Sequence, residues 1–201
     1  MTNLDKLIQY FEKFPGIGAR QARRFAFHIL TLPKADVEEI ATLITSLQTS
    51  VVECNRCHRF FAHNGGSATM CSICMDPNRD HSKLMVVERD SDIQPMERAG
   101  IYEGLYFVLG GTVPLLQDSS TKLRGGALKA TVDTQQKEGL EEVILAFSVN
   151  PDGENTARYV QSLLKDHVGF TITQLGRGLS TGSELEYADP ETLKSALQNR
   201  T

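Results

Sequence analysis

Four cysteines restrict this chain more tightly than anything else in its 201 residues. They occur only as Cys54-x-x-Cys57 and Cys71-x-x-Cys74, two knuckles separated by an insert of hairpin length. The N-terminal stretch MTNLDKLIQYFEKF is amphipathic, with neither the continuous apolar core nor the small-residue cleavage site of a signal peptide. No segment reaches the roughly 18 uninterrupted apolar residues that span a bilayer. A cytoplasmic location is therefore expected, where loose thiols stay reduced and disulfides are the weaker reading. Two knuckles at this spacing can instead set four thiolates tetrahedrally around zinc, with Cys54, Cys57, Cys71 and Cys74 as ligands. Protein then fills every position, so the site is structural and closed, with no place for a catalytic water. His58 and His63, inside the insert HRFFAHNGGSATM, read as surface histidines because the thiolates already complete the shell.

Hydrophobic periodicity organises the rest. At 40% hydrophobic residues the chain can bury a core and carry a compact domain with one or two small modules. Leu4, Leu7, Ile8 and Phe11 recur at helical intervals, and the same rhythm returns in ARRFAFHIL and VEEIATLITSL. Pro15-Gly16 breaks the first helix and Pro33 ends the second, which predicts three helices and a tight hairpin. From Lys83 the period changes. LMVVE and GLYFVLG read as buried strands around a helix DIQPMERAG closed by Gly100. EEVILAFS, GENTARYVQSLLKDH and GFTITQLG repeat the order strand, helix, strand, the pattern of a parallel sheet with covering helices. GGTVPLLQDSSTKLRGG reads as loop, followed by a helix up to Gly139. In the tail, Asp189 is expected to cap a helix that starts at Pro190, with Glu191 at its positive end.

The stretch FPGIGARQARRFAFH holds three arginines and no acid, in a chain of formal net charge -4. Gly16 and Gly18 permit a tight turn with positive φ and leave backbone N–H groups uncovered at the next helix's N-terminus, where phosphate oxygen can bind. Arg20 and Arg24 lie one turn apart on one face, with Arg23 beside them, so they can flank a run of phosphates. The alternative is a plain αα-hairpin with solvated arginines. Binding by the first route goes to the DNA backbone, strongly salt-dependent and indifferent to sequence.

Helix-PGIG-helix, paired Cys-x-x-Cys knuckles, DPNRD, LMVVE, GLYFVLGG, EEVILAF, GENTA and GLSTGSELEYAD follow one another along nearly the whole chain. In that order they resemble the RecR family of bacterial recombination mediators. The resemblance implies an α+β multidomain fold: a helix-hairpin-helix domain over residues 1–52, a four-cysteine zinc finger over 53–78, an α/β Toprim domain with a mainly parallel sheet over 79–176, and a C-terminal segment and helix over 177–201. It implies a homotetrameric ring able to encircle DNA at the nucleoid, working with RecO and possibly RecF to help load RecA recombinase onto single-stranded DNA. Arg20 and Arg24 match basic DNA-contacting positions of the hairpin, and Glu88 and Asp92 match an acidic edge implicated in contact with RecO. Asp92 has the alternative of capping the helix that follows it.

Toprim domains also occur in enzymes that hold magnesium on a glutamate and an Asp-x-Asp pair, since a hard cation needs clustered oxygen ligands. Glu88 suits the first role, but after EEVILAFS the chain reads VNPDGE, and Asp152 and Glu154 also sit where a helix dipole stabilises carboxylates. No G-x-x-x-x-G-K-[ST] loop is present to cradle a triphosphate. A non-enzymatic scaffold is therefore expected, against the alternative of a metal-dependent nuclease or primase-like enzyme. The chain departs from the family in its long zinc insert, with a Gly65-Gly66 turn and exposed-looking Phe60 and Phe61. It departs again in a loop bearing Lys122 and Arg124, which face either DNA or solvent.

Overall fold

The computed structural model describes residues 1–63, 69–115, 123–176, 178, 179, 182 and 184–198, the side chain of Glu191 excepted. The Gly65-Gly66 turn and Lys122 lie outside the described residues. The chain divides into two compact units, Met1–Val52 with Ala62–Gly65, and Glu53–Phe61 with Gly66–Thr201.

The first unit is helical, with α1 (Asn3–Glu12), α2 (Ala19–Thr31) and α3 (Lys34–Ser50). Thr2 starts α1 with a reciprocal cap: its hydroxyl accepts from the Asp5 amide at 3.2 Å, while its own amide donates to the Asp5 carboxylate at 2.7 Å. Phe11 packs edge-on against Phe25, with ring centroids 6.1 Å apart, and fixes the hairpin of α1 and α2. Gly16 adopts φ 76°, as the turn demands. Gly18 does not; it sits at the N-cap of α2 in extended backbone at φ -87°, so only one of the two glycines serves a left-handed conformation.

Burial in this unit is slight. Among its helices only Ala22 and Ala26, on the inner face of α2, are buried, and α1 and α3 bury no residue. Ile40, Leu43, Ile44 and Leu47 recur at helical spacing along α3 and are exposed, Ile44 by 62%.

The second unit is built on a four-stranded sheet of order β4-β3-β5-β6, from β3 (Asp80–Val87), β4 (Gly104–Val108), β5 (Glu142–Ala146) and β6 (Thr171–Gln174). Every neighbouring pair is parallel, as the repeated strand, helix, strand order predicts. Alternate residues of each strand serve opposite faces. Leu84, Val86, Leu105, Phe107, Val143 and Leu145 pack against α6 (Gly125–Lys137) and α7 (Pro151–Leu164) through Leu128, Val132, Ala157, Val160 and Leu164. On the other face, Met85, Val87, Tyr106 and Val108 meet Ile93 of α5 (Ile93–Ala99), together with Ile73 of the short α4 (Ser72–Met75) and the four cysteines. The cysteine module is thus part of one wall of the sheet's core.

A two-stranded ribbon of β1 (Val51–Glu53) and β2 (Phe60–Ala62) surrounds the first knuckle. Gly100 closes α5 in the left-handed region at φ 62°. Asp189 caps α8 (Pro190–Gln198), its carboxylate accepting from the Thr192 amide at 2.9 Å. No helix among the described residues is long and apolar enough to cross a membrane.

Candidate metal centre and nucleic-acid interface

The ribbon and α4 bring the two knuckles together. All four sulfurs lie within 4.8 Å of one another, every cysteine is buried, and none is in a disulfide. A metal bonded to four sulfurs at about 2.3 Å holds them about 3.8 Å apart; Cys57 and Cys71 Sγ stand 3.6 Å apart. The Cys71 amide donates to Cys54 Sγ at 3.3 Å, orienting that sulfur from the opposite knuckle. Proton sharing, with Cys57 first, draws Cys54 toward the thiolate, while sharing with Cys54 first pushes Cys57 and Cys74 up. Four thiols in one pocket cannot all ionise unless a cation offsets their mutual repulsion, so the donor set fits a structural metal ion.

The insert histidines take neither the ligand role nor, for His58, the surface role expected. His58 Nδ1 lies 2.6 Å from Glu53 Oε1 and its ring meets Phe107 edge-on at 5.2 Å, in a residue with φ 60°. His63 is half-buried and stands outside the four-cysteine group. Phe60 is 53% exposed as expected, but Phe61 packs on the core beside the cysteines, because alternate residues of a ribbon face opposite ways. The module is anchored by Val108 N–H donating to the Cys57 carbonyl at 2.8 Å and Phe60 N–H to Asp90 Oδ1 at 2.6 Å.

On α2, Arg20, Arg23 and Arg24 are all exposed, Arg20 and Arg24 on the arc opposite Ala22 and Ala26 and Arg23 on its flank. Gly18 supplies no side-chain cap, so the first-turn amides of α2 have no side-chain acceptor and the helix end stays open to an anion. Arg124 behaves differently. Its Nε lies 3.3 Å from Glu53 and its Nη1 donates to the Val108 carbonyl at 3.2 Å, so this loop arginine faces the protein rather than DNA or bulk solvent.

Glu88 follows β3 at the sheet's C-terminal edge, as its place at the end of LMVVE requires. It is 7% exposed, and its Oε1 accepts from the Ser148 amide beyond β5 at 2.7 Å, joining the two central strands. Asp152 accepts from the Leu115 amide at 3.0 Å, which turns it onto the loop after β4. Asn150 caps α7 through the Gly153 amide at 2.8 Å, with Asp152 and Glu154 in the first turn. Among the described residues, Glu88, Asp152 and Glu154 do not form a group able to hold a metal ion. Asp92 is half-buried at the N-cap position of α5 but makes no side-chain cap to it; its carboxylate instead reaches back to the Arg89 amide at 2.8 Å.

One network had no sequence signal beyond DPNRD itself. Arg79 grips Glu97 of α5, with one contact at 3.0 Å, and Tyr106 O–H donates to the same carboxylate at 2.7 Å. Burial alone would raise Glu97, yet Arg79 and Tyr106 hold it below the usual carboxylate range. The exit from the second knuckle is thereby tied to the outer helix.

A helical hairpin, a four-thiol centre and a parallel sheet define a multidomain protein of the helix-hairpin-helix and Toprim class. Family models agree: "RecR, helix-hairpin-helix" matches residues 4–47, "Toprim domain" 82–176 and "RecR, C-terminal" 178–201. The chain is 38% identical over 196 residues to the "Recombination protein RecR" of Lactobacillus delbrueckii subsp. bulgaricus, covering 98% of this chain and 95% of that one. It is 36% identical over 198 residues to the protein of the same name from Staphylococcus saprophyticus, covering 98% and 96%. With the Pediococcus pentosaceus protein of that name it shares 39% over 197 residues, covering 98% and 95%. The chain belongs to the RecR family of recombination proteins.

Proposed function

We propose that the protein is a non-enzymatic, DNA-binding recombination mediator whose helical hairpin holds DNA by its phosphates, without reading its sequence. The exposed Arg20, Arg23 and Arg24 beside the uncapped N-terminus of α2 carry this reading, with Gly16 and Gly18 keeping the backbone there accessible to phosphate. Zn²⁺ is the metal that four buried thiolates favour, and it would be structural. The division into residues 1–52, 53–78, 79–176 and 177–201 is retained as functional modules.

The reading includes an oligomeric clamp, in the ring form a homotetramer, and the first unit supports it. Its helices bury two alanines, and α3 exposes an apolar row that a partner surface can cover. Several hairpins joined in one assembly also raise the effective concentration at the DNA, so that weak phosphate contacts add. In this reading the clamp works with RecO, and with RecF where present, to help load RecA onto single strands. Asp92 would face the partner, with buried Glu88 behind it holding the edge in place.

Replacing Arg20 and Arg24 with Ala tests the DNA reading by fluorescence anisotropy against salt. Each lost phosphate contact lowers the slope of log affinity on log salt by about 0.7 on single strands, so the pair should lower it by about 1.4 while weakening binding. Both residues are exposed, so circular dichroism should be unchanged. Unchanged affinity and slope at low salt would sink the assignment. For the rival enzyme, cleavage or synthesis on labelled DNA with magnesium or manganese that vanishes in Glu88→Gln would overturn the non-enzymatic reading.

A further inference from the structure

A groove of about 580 Å³, in the size range of small-ligand sites, separates the first knuckle from one face of α6. Gln135 lines it and is 1% exposed, yet its carboxamide Nε2 and Oε1 are both shielded and neither makes a hydrogen bond. Such a group is uncommon in a packed interior. It presents a donor and an acceptor side by side. The charges at the rim are spent on each other, since Arg56 of the knuckle is paired with Glu138 at the end of α6. On the helix side, Ala127 and Ala130 offer methyl groups. On the knuckle side, the His58 ring is held rigid by Glu53 and Phe107.

We infer that this groove takes an unpaired adenine, whose N6 amino group donates to Gln135 Oε1 while N7 accepts from Nε2. A glutamine carboxamide pairs with that edge of adenine through two hydrogen bonds. Unstacked bases rest on imidazole planes and apolar surfaces, here His58 and the two alanines. The neutral lining suits a base rather than a phosphate; in this proposal the carboxamide, shielded beside the groove, rotates about its terminal bonds to meet the base. The base comes from single-stranded DNA or from a free nucleoside; only the first source rests on the DNA-binding reading.

The test compares 20-nucleotide oligo-dA and oligo-dT by anisotropy at one salt concentration, with free adenosine in equilibrium dialysis as a separate arm. The full-length protein should prefer oligo-dA about tenfold, and Gln135→Leu should abolish the preference while leaving oligo-dT affinity unchanged. Ala130→Phe, which fills the groove from an exposed position, should do the same should the leucine variant not fold. Equal affinity for the two oligomers, or a preference that survives both substitutions, overturns a base pocket for DNA. Loss of both oligomers in the Arg20/Arg24 variant bears on the hairpin alone. If neither oligomer binds the unaltered protein, the DNA reading fails by itself. Adenosine retained by that protein and lost in Gln135→Leu would then support the groove as a nucleoside site, and no retention would overturn it.

Discussion

Stripping the metal from the cysteine centre should cost far more than the loss of one finger, because the centre forms part of the wall of the sheet's core. Met85, Val87, Tyr106 and Val108 are each at most 2% exposed, on the face shared by the cysteines, Ile73 and α5. Burying one such side chain is worth about 1.5–3 kcal/mol. If α5 keeps half of that face covered when the knuckles fall apart, the sheet loses roughly 3–6 kcal/mol, a large part of a typical domain's stability of about 5–15 kcal/mol. For a unit of this size each kcal/mol moves the midpoint by about 2–4 °C, so a fall of about 6–24 °C is expected. The assay is thermal unfolding by far-ultraviolet circular dichroism before and after chelation. Elemental analysis should give one metal per chain before treatment and none after it. A metal-free protein that melts within about 2 °C of the untreated one would refute the idea that the centre supports the sheet.

Other perturbations follow from single contacts. A Cβ on Gly153 would stand 1.9 Å from the Ser148 carbonyl oxygen, a backbone atom that cannot step aside, so Gly153→Ala should cost roughly 3–5 kcal/mol in chemical denaturation; a loss under about 1 kcal/mol would show the turn to be loose. Glu88→Gln keeps an acceptor for the Ser148 amide but gives up its charge, and should lose about 1–2 kcal/mol in the same measurement. Asp80, bound by Ser82 and then Lys83, is lowered from 3.8 to about 2. A carboxylate lowered in the folded state stabilises above its unfolded value, so this contribution is complete above about pH 4 and is lost as pH falls toward about 2. Asp80→Asn should therefore flatten the acid limb of a stability profile in that window, and an unchanged limb would count against the pairing.

Much of the architecture could be read from spacing alone. The parallel sheet follows from β-branched runs alternating with helical periods, as in LMVVE and EEVILAF, and the four-cysteine cluster from two Cys-x-x-Cys pairs. Both signals are local, and both survive without knowledge of what packs beside them. Gly18 shows the limit. A glycine beside another in a turn suggests positive φ, but the chain needed it only at Gly16. Arg124 and His58 illustrate the same limit for side chains. Each sits in a segment that reads as exposed, and each is drawn inward by Glu53, a partner far from Arg124 in sequence.

By itself, then, the sequence determined the helical hairpin, the strands and helices of the sheet region, their order, the grouping of the four cysteines and the family, because periodicity, turn chemistry and cysteine spacing act over a few residues. Tertiary structure alone decided the state of each charge and polar group. It turned Glu88 onto the Ser148 amide and Asp152 onto the Leu115 amide, and it left the Gln135 carboxamide buried beside a groove. The physical reason is one of range. Whether a carboxylate or an amide is available to a ligand depends on which distant backbone groups and side chains reach it first, and only the packed chain brings those together.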